Sequence, residues 1–477
     1  MKVFSKVQGR ARDVLLLTGG TVIGQAALIA SAPLITRLYT PEDMGVFAVF
    51  GALGIITVIG SLHYELAIPL PAADKDAFNL LALSLALVLT LSIFMVPVLM
   101  IGGHKAVVFL KAGKLYSYLW LLPAGFFVSG AAQALTIWAI RKKTFKLNAV
   151  AKGSQGIGQA VPQVAFGFAH GGPFGLIIGQ IAGQILSAGV LLRGMVAGSR
   201  EKLEVSLSDV RSVASEYRRF PLYTSWSSLI NVLSLQMPVF LLSHSYGVMV
   251  TGFYALSYRI LQLPMRFVGQ SISQVFFSAA ADAHRDGKLG AITFRLYMKL
   301  IRFLLPAMII ISLIAPELFA VCFGKKWHEA GVYSQFIMPW LLMSFIVATL
   351  SVLVSVLQQQ PVELVFQIVY LFVIAGSLWL GNVLGGVYWS LGLLGCCGGA
   401  FMLVKLMWIL RLTGNSLRVC MMVLFRECAI VLPGAALLIM AKSFAINQII
   451  VCAIGSICLL ALLLYNFRFR RAAVLGA

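Results

Sequence analysis

The chain has 477 residues, of which 60% are hydrophobic and 11% charged. A soluble globular protein is about 45–50% apolar and about 25% charged, so the apolar excess must face lipid, and a soluble enzyme, a disordered scaffold and a secreted disulfide module are excluded. Lys and Arg number 37 against 16 Asp and Glu, a net charge of +21. In a membrane protein that excess reads as basic loops beside an anionic inner leaflet, with no nucleic-acid partner implied.

In chain order, Lys2, Lys6, Arg10 and Arg12 lead into a first apolar run without an A-x-A cleavage site, so this segment is expected to stay as a helix. A hydrocarbon core about 30 Å thick needs about 20 helical residues. Long apolar stretches recur near 14–36, 44–69, 78–101, 116–140, 149–169, 174–195, 221–243, 248–278, 296–322, 333–357, 362–381, 387–410, 424–441 and 447–466, which predicts fourteen transmembrane helices and an all-α polytopic membrane protein. The fifth stretch carries Lys152, Ser154, Gln155, Gln159 and Gln163 and is too polar for lipid, so it should face other helices or a wet cavity. With both termini cytoplasmic, 24 of the 37 Lys and Arg fall on inner segments, 7 on outer ones and the rest within spans or at their edges, as the positive-inside rule requires. The longest loop, about 196–220, is charged and should hold a short interfacial helix.

The seven cysteines are odd in number, lack CxxC spacing and mostly lie in apolar runs, and the six histidines are scattered. Neither set suggests a disulfide frame or a metal site, and no cofactor is expected. Gly175, Gly179 and Gly183 read as a close helix-packing seam. Trp120, Trp327, Trp340, Trp389 and Trp408 read as interfacial anchors.

Residues 34–49 and 241–256 align at a shift of 207, pairing Tyr39 with Tyr246, Gly45 with Gly252 and Ala48 with Ala255. Each block joins the first helix of a six-helix half to the second. The expected organisation is a six-helix lobe over 1–195, a cytoplasmic linker over 196–220, a pseudo-symmetric six-helix lobe over 221–410 and two extra helices with a cytoplasmic tail over 411–477. Such repeats are typical of transporters that bind cargo between halves and alternate access by rocking.

The segment Arg37-Leu38-Tyr39-Thr40-Pro41-Glu42-Asp43-Met44-Gly45 resembles the first outer loop of Wzx-type polysaccharide flippases of the multidrug/oligosaccharidyl-lipid/polysaccharide (MOP) exporter superfamily. His63-Tyr64-Glu65-Leu66-Ala67-Ile68-Pro69-Leu70-Pro71 is similar to the stretch ending their second helix, with His63 where an arginine is frequent. Gly175 to Gln180 resembles their sixth helix, and Phe323-Gly324-Lys325-Lys326-Trp327 with Ala330-Gly331 the turn before their tenth. The resemblance implies a non-enzymatic carrier of the bacterial inner membrane. It would flip undecaprenyl-pyrophosphate-linked oligosaccharides for O-antigen, capsule or exopolysaccharide synthesis, in company with membrane lipids and the polysaccharide polymerase and export machinery. A drug or cation antiporter of the same superfamily is the alternative reading. An oligosaccharide polymerase or ligase is disfavoured by short outer loops.

The tail of such a cargo can remain in lipid while its pyrophosphate and sugars need a wet, cationic path. Arg259 and Arg266, seven apart in the eighth span, Lys152 in the fifth, and Lys299 and Arg302 at the start of the ninth are the candidate substrate-binding residues. In the resembling lipid II flippases an arginine of helix eight lines the central cavity, which singles out Arg259. Glu65 and Glu317 are the candidate ion-coupling residues, for H+ or Na+, with product removal outside as the other source of drive. His63 should point away from Glu65 if the second span is a continuous helix. Arg37 lies beside Glu42 and Asp43, and a local salt bridge or cap is the simplest reading of the three.

Overall fold

The computed structural model describes residues 24–198, 205–263, 265, 269–443 and 448–474. The described residues are helical throughout, with no strand among them. Nine of the described helices are long and apolar enough to cross a membrane, and two shorter apolar helices accompany them, so the chain is a multi-pass membrane protein. Helical segments fall on every one of the fourteen expected stretches.

The chain divides into two compact units, Met1–Gly252 and Phe253–Ala477. In the first, α1 (24–38) leads to α2 (Pro41–Leu53), α3 (Asp74–Phe109), α4 (Leu121–Arg141), α5 (Phe145–Phe168) and α6 (Gly172–Gly198). Then follow the linker helix α7 (Leu207–Glu216), α8 (Ser225–Tyr246) and the start of α9 (Val248–Leu261). The motif that opens α2 is a cap. Pro41 occupies its first turn, Asp43 N–H donates to Thr40 Oγ1 at 3.1 Å, and Thr40 N–H donates to Asp43 Oδ2 at 2.9 Å, a reciprocal capping box. Glu42 pairs instead with Lys114 at 3.0 Å.

The polar α5 packs lengthwise on α6. A Cβ at Gly179 would lie 2.4 Å from Gln163 Cγ, and one at Gly183 would lie 2.5 Å from the Gln155 carbonyl oxygen. These glycines let two backbones approach closely, and the approach gives the polar side chains of α5 partners: Gln163 Nε2 donates to the Leu176 carbonyl at 3.0 Å, and Tyr39 Oη donates to the Gln163 carbonyl at 2.6 Å. The expected seam is therefore present. The glycines aligned by the repeat also meet, since a Cβ at Gly45 would strike the Val248 carbonyl and one at Gly252 the Pro41 carbonyl.

The linker helix docks where α3 begins. Val213 joins a buried cluster with Tyr64, Ile68, Leu80 and Trp138. Tyr64 Oη donates to the Ala214 carbonyl at 2.9 Å, and Lys75 pairs with Asp209 at 2.6 Å. At the same end Arg141 donates to the carbonyls of Ile68, Pro71 and Ala73 and to Asp74. One planar guanidinium thus ties the end of α4 to the turn before α3.

The second unit holds the rest of α9, α10 (Gln270–Arg285), α11 (Leu289–Phe323), α12 (His328–Leu350), the short α13 (Val352–Val356), α14 (Gln360–Leu384), α15 (Val387–Leu412), α16 (Leu417–Ser443) and α17 (Gln448–Val474). Trp327 and Trp340 are 0% and 1% exposed, which corrects their reading as interfacial anchors. Trp327 packs edge-on against Phe253, and Trp340 stacks on Tyr258 and donates to Tyr370 Oη at 2.8 Å. Their indole N–H groups and large rings suit a core as well as an interface. Trp120 and Trp389, by contrast, are exposed.

Candidate functional site

One expected membrane helix, the second, is interrupted, and the interruption carries candidate residues. In the second span α2 stops at Leu53, and two short 3-10 turns follow at Gly54–Ile59 and Tyr64–Ala67. Leu62 and His63 adopt φ of +50° and +60°, which a helix cannot contain. The break turns His63 back toward Glu65, with Nδ1 3.9 Å from Oε1. The expectation that His63 points elsewhere is therefore corrected, because its premise of a continuous helix fails. Glu65 is 2% exposed, accepts from Ser61 Oγ, and receives Gln133 Nε2 from α4 at 3.1 Å. The result is a buried carboxylate held by neutral donors and a histidine.

Beside this break a cavity of about 90 Å³ opens among α2, α4 and α6. Gly51, Gly54 and Gly125 leave its walls bare, and Thr57, Ser129, Gln180 and Gln184 supply its polar groups. Gln180 and Gln184 were legible only as an i,i+4 amide pair on an otherwise apolar helix, a pairing that places both on one face, and sequence reasoning passed them over.

In the eighth span α9 is followed by α10, which begins at Gln270; between them Leu263, Met265 and Gly269 are helical, and 264 and 266–268 lie outside the described residues. Arg259 lies in the last turn of α9. Arg259 is half-buried. Arg266 lies outside the described residues.

The other candidates separate by partner. Lys152 is exposed on α5, with Gln155 Oε1 at 3.4 Å. Lys299 and Arg302 share one face of α11; Lys299 is exposed, whereas Arg302 Nε lies 3.7 Å from the fully buried Glu427 of α16. Arg426 also reaches Glu427, at 3.0 Å. Glu317 pairs with Lys442 at 2.9 Å. Glu363 of α14 pairs with Lys405 of α15 at 2.5 Å, a pair the sequence reading overlooked. Among the described spanning helices, then, Glu65, Glu317, Glu363 and Glu427 are all engaged inside the protein, while Lys152 and Lys299 remain exposed with no carboxylate against them. No group of three or more metal-ligating side chains occurs among the described residues.

Comparison with known proteins places this architecture. No curated protein matches the sequence. Among solved structures, "Lipid II flippase MurJ, inward closed conformation" superposes with a TM-score of 0.70 at 12% identity, covering 97% of this chain and 100% of that one. The inward-facing conformation of a multidrug resistance MATE family transporter of the MOP superfamily superposes with a TM-score of 0.58 at 15% identity, covering 84% and 94%. Its outward-facing conformation gives 0.53 at 14% identity, covering 85% and 96%. The fold is similar to that of these transporters. A family profile described as "Polysaccharide biosynthesis protein" matches residues 34–332, more than half of the chain. By that match the chain belongs to this family of polysaccharide biosynthesis proteins.

Proposed function

We propose that the protein flips an undecaprenyl-pyrophosphate-linked oligosaccharide across the bacterial inner membrane, with both termini in the cytoplasm and the two six-helix halves alternating access. The observation that carries this reading is the asymmetry of charge within the spans. Glu317, Glu363 and Glu427 each face a basic partner and Glu65 is held by neutral donors and a histidine, while Lys152 and Lys299 stay exposed. An anionic pyrophosphate is the cargo such a lining attracts. A drug-cation antiporter would need accessible carboxylates, and the charge pattern disfavours it. The family match and the likeness in fold to a lipid II flippase support the same direction.

In this mechanism Arg259, in the last turn of α9, and Lys152 hold the diphosphate, with Arg266 as a further cation. Glu65 is the candidate proton acceptor, since a change of its charge would act directly on the hydrogen bonds that fix the break in the second span. Complementation of a strain lacking its own flippase tests the reading, scored by surface polysaccharide and by accumulated lipid-linked precursor. Arg259→Ala should lower surface polysaccharide about tenfold or more, the loss of a hydrogen bond to a charged group, and Arg259→Lys should restore part of it. Full activity of the alanine variant at normal protein level removes Arg259 from the mechanism, and failure of the wild type to complement any polysaccharide pathway removes the function.

A further inference from the structure

The cavity among α2, α4 and α6 lies wholly within the N-terminal unit, and the protein leaves its polar groups unused. Hydroxyls in spanning helices commonly turn back to the carbonyl four residues earlier, as those of Ser84, Thr90 and Ser92 in α3 and Thr136 in α4 do. Those of Thr57 and Ser129 do not. Among the described residues the side chains of Thr57, Ser129, Gln180 and Gln184 make no hydrogen bond, and all four are half-buried along the cavity wall. Hydroxyls and amides both donate and accept. Polar groups inside a membrane bundle are costly unless something answers them, so the cavity suits a ligand that also does both. None of its described lining residues is charged, which disfavours an ion or an organic cation, and Phe50 and Phe126 give it apolar walls. A Cβ at Gly51 or Gly54 would meet nothing within 4 Å, so space remains on the α2 side. The volume of about 90 Å³ is room for about three waters.

We infer that this cavity receives about three hydroxyl groups from one edge of a neutral sugar of the cargo, which rests on the flippase reading above. Gln180 and Gln184, one turn apart on one face of α6, donate to and accept from neighbouring ring hydroxyls, and Thr57 and Ser129 complete the set. A sugar bearing a carboxylate finds no cation here, and a sugar with its hydroxyls placed elsewhere leaves the amides unpaired. Each hydroxyl replaces a water that made similar bonds, so the cavity contributes more to selection than to affinity. It reads the sugar, whereas Arg259 and Lys152 hold the diphosphate.

The test is calorimetric titration of the full-length protein in detergent with farnesyl diphosphate and with its glucosyl, galactosyl and N-acetylglucosaminyl esters. Wild-type protein should bind the best of the three esters about tenfold or more tighter than the bare diphosphate, the worth of two neutral hydrogen bonds. The double variant Gln180→Leu/Gln184→Leu should bring that ratio close to one, with affinity for the bare diphosphate changed less than about twofold. Gly51→Leu, which keeps every polar group and fills the cavity, should do the same. Equal binding of all four probes by wild type overturns the proposal, as does a ratio that survives both variants. A methyl glycoside of the preferred sugar that binds as tightly as the ester also overturns it, since that result assigns the cavity to a soluble sugar. Wild type that binds the bare diphosphate without any gain from the sugar loses this site and leaves the flippase function standing. Binding of none of the probes overturns the site too, and complementation then decides separately whether the flippase function falls.

Discussion

The N-terminal and C-terminal units solve the same problem, buried polarity inside a membrane bundle, by different means. In the N-terminal unit, glycines bring α5 and α6 close enough for amides to reach backbone carbonyls, and even the buried Glu65 is held by a hydroxyl, an amide and a histidine. In the C-terminal unit the buried Glu427 and the half-buried Glu363 and Glu317 meet full cations: Glu363 with Lys405, Glu317 with Lys442, and Glu427 with Arg302 and Arg426. Two of these three contacts join α16 to α11. The difference teaches that α16 is fastened to its unit at two depths by opposite charges. The N-terminal unit instead keeps its only described buried spanning carboxylate in a neutral setting, where a gain or loss of charge changes the local hydrogen bonding most.

The sharpest way to break the comparison is to remove one charge from the C-terminal unit. Glu427→Leu removes the fully buried carboxylate that faces Arg302 and Arg426 and should cost about 3 kcal/mol, the upper end for contacts to a charged group. The double substitution Glu427→Leu/Arg302→Leu should recover most of that loss. Thermal unfolding in detergent checks both. A single variant as stable as wild type would show that the pair carries no structural weight. In the N-terminal unit the matching test is steric. Gly183→Leu should cost about 1–3 kcal/mol by overpacking, since its Cβ would fall on the Gln155 carbonyl and on Gln159. Gly54→Ala, where a Cβ meets nothing within 4 Å, should stay within about 0.5 kcal/mol. Equal effects of the two glycine changes would refute the seam.

Much of this was legible in the sequence because hydropathy and charge are long-range signals. Twenty apolar residues can do little else than span. The linker helix was legible from its charges, and the seam from the four-residue spacing of Gly175, Gly179 and Gly183. The interruption of the second span was not. Gly54, Gly60 and the pair Leu62–His63 are apolar or neutral enough to pass for one continuous span, yet the left-handed φ of Leu62 and His63 decides where Glu65 points. Partner identity was equally hidden. Nothing in the sequence says that Glu427 lies opposite Arg302, 125 positions earlier in the chain, since that follows from how α16 packs on α11. The same blindness turned Trp327 and Trp340, aromatic residues near expected span ends, into interfacial anchors when both belong to the core.

The smallest effect expected of any charge pair lies outside the spans, at Lys114 and Glu42, and it bounds the comparison from below. Their contact is 3.0 Å long, and both side chains are substantially exposed, at 56% and 43%. The hydrogen bond from Lys114 to the Glu42 carboxylate raises the lysine pKa above its usual value. A raised lysine pKa means that the folded state holds its proton more tightly than the unfolded chain. The stabilisation is therefore complete below the unfolded lysine pKa and is lost only as pH climbs through the folded one, in the alkaline range. Water and salt screen such a pair, so it is worth about 0.2–1 kcal/mol. Lys114→Met should lower the unfolding midpoint only marginally at pH 7, with the difference shrinking at high ionic strength and vanishing at strongly alkaline pH. A loss at neutral pH as large as that of Glu427→Leu would mean that charge pairs matter in this fold regardless of burial, and the contrast between the two units would then reflect where the acids happen to lie rather than how each unit is held.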